Sequence, residues 1–233
     1  MDSTAMLETP AEPKLLIRLL RERDAVFEEI IEHKEVWRKA WVFLLASFLM
    51  MAAYGFPMGL FNGIPQAAAS TLKFPLLFFL TLAICYPALF VLNNLFGSKI
   101  GFAQTTALIL ASMTYAGMLL AGFAPIVLLF VISGSDYAFL KLLHVAFCGI
   151  AAASGLISMY RGLVIVCEKH DVYPRLAMRT FRVWLLLFAF VGAQMSWNLR
   201  PFIGAKELPF QIFRAQEGNF YKAVLQAVLE LAD

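Results

Sequence analysis

The stretch Phe74–Ser98 reads FPLLFFLTLAICYPALFVLNNLFGS, with Lys73 before it and Lys99 after it, and it holds no charged residue. At ~1.5 Å rise per residue, about 25 residues cover the ~30 Å of a bilayer's hydrocarbon core with some left over. A soluble chain rarely runs this far without a charge, so the stretch reads as a transmembrane helix and sets the class of the whole chain. Composition agrees. Of 233 residues, 61% are hydrophobic and only 15% charged, the balance of a polytopic membrane protein. The net charge of +3 is small and the basic residues are scattered, which argues against a nucleic-acid-binding surface.

Toward the N-terminus, a span over 40–61 begins at an interfacial anchor of Trp37, Arg38, Lys39 and Trp41. It contains Gly55, Gly59 and Gly63, small residues at every fourth position that let helices approach closely in lipid. Pro57 and Pro65 predict a kink or an end there, leaving 62–72 as a short connection or amphipathic step. Residues 12–39 read as an amphipathic helix. Leu16, Leu20, Phe27 and Ile30 lie near one face, and Arg18, Glu22, Asp24, Glu28, Glu29 and Glu32 are on the other. Its charges nearly cancel, so it is expected to pack on protein as readily as on the membrane surface. The opening MDSTAMLETPAEPK has no apolar core, so no cleaved signal peptide is expected.

Toward the C-terminus, residues 102–132 predict one long span, broken or tilted near Pro125. Further spans are predicted over 137–166 and 183–198, and the opening stretch supplies 74–96. The fold class is therefore all-α, a transmembrane bundle of about five spans. It is preceded by the arm 1–39 and followed by a tail, 200–233, whose Asn219 caps a terminal amphipathic helix. Seven basic residues in the arm and five between Arg161 and Arg182 place both on the cytoplasmic side of an inner membrane. The C-terminal tail then lies outside.

No catalytic, cofactor or metal signature emerges. Glu29, Glu32 and His33 lack a third strong ligand, and Cys85, Cys148 and Cys167 read as reduced apolar residues. Ser70-Thr-Leu-Lys73 has the spacing of a serine activated by a lysine, but no S-D-N or K-T-G partner follows. His144, Cys148, Ala151, Gly155 and Ser158 share one helical face, which should meet protein rather than lipid. His144 is a candidate intramembrane relay, outweighed by a neutral histidine bonded to a carbonyl or to a polar neighbour such as Gln194. Gln104, Thr105, Ser112 and Tyr115 are candidates for a pore lining or for interhelical hydrogen bonds. Arg200 is expected to anchor at headgroups or to pair with Glu207 or Glu217.

The amphipathic arm, the five closely spaced spans and the segment GFAQTTALILASMTYAGMLLAGFAPIVLLF resemble, over roughly residues 15 to 205, the Yip (Ypt-interacting-protein-like) membrane family. The run Trp197–Gly204, W-x-L-R-P-F-I-G, resembles an element of bacterial relatives. The resemblance implies five spans, a cytoplasmic N-terminus and no catalytic residues. The expected function is that of a non-catalytic scaffold, as a homo-oligomer or a subunit of a membrane complex. A channel is the alternative and a Ser-Lys hydrolase a remote one. The bilayer is one expected partner, nucleic acid is not, and the sequence leaves a small-molecule ligand unidentified.

Overall fold

The computed structural model describes residues 12–95, 101–170, 174–204 and 211–213, and these form an all-helical bundle. The described helices are α1 (Glu12–Arg21), α2 (Arg23–Ile31), α3 (Val36–Leu60), α4 (Ile64–Leu95), α5 (Phe102–Ile132), α6 (Tyr137–His170) and α7 (Pro174–Leu199). Four segments are long and apolar enough to cross a membrane: Val36–Leu60, Ile64–Val91, Phe102–Ile132 and Phe139–Lys169. They turn Leu49, Ile84, Leu129 and Leu142 outward, as suits an exterior bathed in hydrocarbon rather than water.

About five such segments were expected, and four are found among the described residues. The fifth candidate, α7, is 26 residues long, but Arg182, Gln194 and Asn198 dilute its apolar content.

The boundaries also shift. Residues 64–72 are not a connection, because α4 already starts at Ile64. Pro65 falls in its first turn, where the missing N–H has no bond to lose. Pro75 and Pro87 lie inside α4, and the helix continues through both. Phe102–Ile132 is a single helix, with Pro125 inside it, so the long span is not broken there. The stretch between Arg161 and Arg182 is largely helical, divided between the end of α6 and the start of α7.

α3 is the central helix, packed on α5 and α4; α6 packs on α5 and α7 on α4. The α3–α4 contact is unusually close. A Cβ on Gly55 would stand 2.5 Å from the Ser70 carbonyl oxygen, and one on Gly59 2.4 Å from that of Gln66. Gly63 instead makes the turn between the two helices. α7 runs antiparallel beside α4: Trp184 Nε1 donates to the Cys85 carbonyl at 3.0 Å, Gly192 faces Thr81, and the segment after α7 reaches Gln66. The terminal helix expected around 219–231 lies outside the described residues.

The arm folds back as two helices, not one. After α2 the chain turns through His33 (φ 61°) and Glu35 (φ 50°) into α3. Val26, Phe27, Ile30 and Ile31 are buried, and α2 packs on α5 and α6, so the arm's apolar face closes one end of its own bundle. Gly162 makes room, since a Cβ there would be 3.3 Å from the Phe27 ring. Gln104 supports the turn, with Nε2 donating to the Ile31 carbonyl at 2.5 Å and Oε1 accepting from the Gly101 N–H at 2.8 Å.

Ion pairs fix the arm's rim. Glu29 accepts from Arg18 Nη2 at 2.5 Å and Lys39 Nζ at 2.6 Å. Glu32 meets Lys169 at 2.7 Å and Lys34 at 2.8 Å. Lys169 and Lys34 lower the Glu32 carboxyl to about 2, and Arg18, with Lys39, holds Glu29 below its ordinary range. Both shifts are downward. Their contribution to docking is therefore present above the free glutamate value of about 4.3 and lost as pH falls through the docked value. A spin label at Ala25→Cys should stay immobile from neutral pH down to about 5, then gain mobility as the pH drops below about 4.5. Mobility already rising near neutral pH would assign the docking to other groups.

Candidate functional site

Two features stand out at the opposite end of the bundle and in its middle. The first is a polar node where the segment after α7 docks on the α3–α4 turn. Gln66, Ser70 and Lys73 lie on one face of α4, at i, i+4 and i+7. All three are buried. Gln66 Nε2 donates to the carbonyls of Pro201 (2.9 Å) and Phe202 (3.1 Å). The Ser70 hydroxyl donates to the Phe202 carbonyl. Lys73 Nζ donates to the Ile212 carbonyl and, at 3.5 Å, to that of Pro201, and lies 4.7 Å from the Phe213 ring. The node holds irregular backbone carbonyls that lack helical partners, which have to be satisfied wherever water is scarce.

Gly204 ends this docked run. Its φ of +70° favours glycine, and a Cβ would lie 2.5 Å from Asn62 Nδ2. Arg200 sits over the Trp197 ring at 3.5 Å; Glu207 and Glu217, its expected partners, lie outside the described residues. The W-x-L-R-P-F-I-G run is thus a docking element whose backbone, more than its side chains, is gripped by α4.

Beside the node, Tyr54 OH and His144 Nδ1 are 2.8 Å apart, both buried. Tyr54 packs on Phe74, and Phe74 on Phe202. The His144 partner is therefore Tyr54 on α3. Gln194 is half-buried on α7.

The second feature is an apolar groove of about 380 Å³ between α6 and α7, floored by α5. Among the described residues α6 and α7 make little contact, and the groove opens sideways. Its walls carry small residues: Ala151, Ala152 and Gly155 on α6, Ala189 and Gly192 on α7. Ala152 and Ala189 are exposed. Cys148 and Ser112 also line it, and the Ser112 hydroxyl is bonded to the Leu108 carbonyl at 3.0 Å. Gly155 and Ala151 serve two purposes. Gly155 backs onto α5, where a Cβ would meet the Ala116 Cβ at 2.9 Å, and Ala151 is buried.

The predicted residues thus separate. Gly55 and Gly59 are used inside the chain, between α3 and α4. Cys148, Ala151 and Gly155 meet at the groove, one turn from His144. Gln104 is at the far end, under the arm. Sequence reasoning missed Tyr54 and Gln66. Gln66 had a signal, its i, i+4, i+7 spacing with Ser70 and Lys73, whereas nothing local ties Tyr54 to His144. Among the described residues, no cluster of three or more His, Cys, Asp or Glu is arranged to hold a metal ion. The chain matches no protein-family model, no curated protein and no solved structure.

Proposed function

We propose that the chain is a non-catalytic integral membrane protein that works as a subunit of a membrane complex, taking a partner's transmembrane helix into the groove between α6 and α7. The observation that carries this reading is the pairing of small residues on both groove walls with a lateral opening. In lipid, helices associate where small side chains let backbones approach. Ala152 and Ala189 are exposed on facing walls.

The reading includes a fifth crossing by α7, an inner-membrane location, a cytoplasmic arm and an outer C-terminus. Its support is the course of α7 along α4 and the docking of Pro201, Phe202 and Ile212 at the α3–α4 turn, the end opposite the arm. The basic residues of the arm and Arg161, Lys169, Arg179 and Arg182 of α6 and α7 fall at one end, as the positive-inside rule asks. The order of features is Yip-like, and a scaffold role is in keeping with that resemblance.

Neither alternative gathers comparable support. Ser112, Thr105 and Thr114 donate to backbone carbonyls of the chain, which leaves little polar surface for a water path. Ser70 and Lys73 both donate to carbonyls of the docked segment instead of to each other, so the hydroxyl has no base beside it.

The test fills the groove. Ala152→Phe and Ala189→Phe should each leave the chain folded, by thermal unfolding in detergent. Each should reduce it to a single-chain mass in native nanodiscs, where the unaltered protein runs as a larger assembly. A single-chain mass for the unaltered protein in membrane-derived nanodiscs would sink the reading.

A further inference from the structure

We propose that the cleft between α1 and the start of α3 binds a phosphate-bearing anion at the depth of lipid headgroups. The cleft has a volume of about 440 Å³ and lies at the arm end, remote from the groove. Its walls carry five cations, Lys14 and Arg18 from α1 and Lys34, Arg38 and Lys39 from the turn and first residues of α3. Among the described residues, two carboxylates line it, Glu29 and Glu35. Glu29 holds Arg18 and Lys39 together at the floor, and Glu35 holds Arg38 at 2.7 Å. Lys34 meets Glu32, a carboxylate already shared with Lys169. The described lining keeps an excess of positive charge, with Arg18, Lys34, Arg38 and Lys39 held by ion pairs and Lys14 exposed beside them. Guanidinium and ammonium donors at a concave site suit phosphate oxygens.

The cleft's depth follows from its surroundings. Trp37 and Trp41, 56% and 63% exposed, flank Arg38 and Lys39 on α3, and exposed tryptophans at a span's end settle at headgroup level. On the other wall, α1 exposes Ile17 and Leu20, each 51%. An interfacial amphipathic helix buries such residues at the headgroup–acyl boundary. Both walls thus carry membrane-interface anchors, and the cations between them face the plane of the phosphates. An ordinary solvated ion-pair cluster would need neither the concavity nor the anchors. The inference is independent of the groove.

The experiment uses the full chain in phosphatidylcholine nanodiscs and in equimolar phosphatidylcholine–phosphatidylglycerol nanodiscs, and separately with sodium phosphate added to the former. Thermal unfolding and lipid retained in native mass spectra are read. The unaltered chain should be stabilised by, and retain, the anionic component. Lys14→Gln with Arg38→Gln should weaken binding about 25-fold, at roughly fivefold per basic residue near an anionic surface. Lys14→Arg with Arg38→Lys should restore it, and Arg182→Gln, exposed on α7, should leave it unchanged. Stabilisation by phosphatidylglycerol alone identifies a lipid as the occupant; equal stabilisation by free phosphate identifies a soluble anion; both support the site. No stabilisation by either, or an equal loss in Arg182→Gln, overturns it.

Discussion

Gly59→Val should destabilise the protein by about 3 kcal/mol or more, and Gly59→Ala by a smaller amount of the same sign. A side chain at this position meets backbone, not a flexible tip. Its Cβ would stand 2.4 Å from the Gln66 carbonyl oxygen, 2.7 Å from the carbon and 2.8 Å from Ala67 Cα. Neither helix can yield locally, because α4 begins only a few residues earlier and Gln66 is bonded to Pro201 and Phe202. The two helices would have to separate, opening the polar node with them. Gly122→Ala and Gly149→Ala are the controls. Neither Cβ would meet anything within 4 Å, so replacing glycine in a helix interior should be neutral or stabilising by up to about 1 kcal/mol. Thermal unfolding in one detergent distinguishes the two signs. A Gly59→Val protein that melts with the controls would mean that α3 and α4 are farther apart than described.

Four membrane-length helices were legible because charge-free length is a local property, readable within one window of sequence. Boundaries were less so. Pro65 signalled an interruption, yet a proline in a first turn starts a helix as readily as it stops one, and the surrounding NGIPQAAASTL gave no other cue. α7 was legible as a helix, but Arg182, Gln194 and Asn198 leave its hydropathy short of the other four, and its crossing has to be argued from what its ends touch. The Gly55 and Gly59 spacing announced a close helix contact without saying whether the partner helix was in the same chain. It is. The Ser70 and Lys73 spacing was visible as a motif, and its use was not, because the carbonyls it serves lie more than a hundred residues away in the chain. Tyr54 and His144 are 90 positions apart; only the fold brings such a pair together.

The arm shows the same limit, and its consequences reach furthest. An amphipathic face at a membrane interface can cover lipid, a partner or its own bundle, and the sequence pattern is alike in all three. Here Phe27 decides among them. It is fully buried, with its ring over Gly162 and the Leu108 side chain also beside that glycine. Phe27→Ala should cost the arm's docking about 3–5 kcal/mol, the range for a buried phenylalanine truncated in a close-packed core. α3 packs directly on α4 and α5, and α5 on α6, so the loss should be local. Trypsin should cut at Arg21 and Arg23 at least an order of magnitude faster, while the main thermal transition moves little. Gly162→Leu should reproduce the release from the other side of the contact, by displacing the ring. The same release would separate Lys14 and Arg18 from Lys34, Arg38 and Lys39 without altering any charge. Anion binding should then fall in Phe27→Ala as it does in the charge variants. Unchanged anion binding in a chain whose arm is cut freely would show that the basic residues act singly along the surface and not as one cleft.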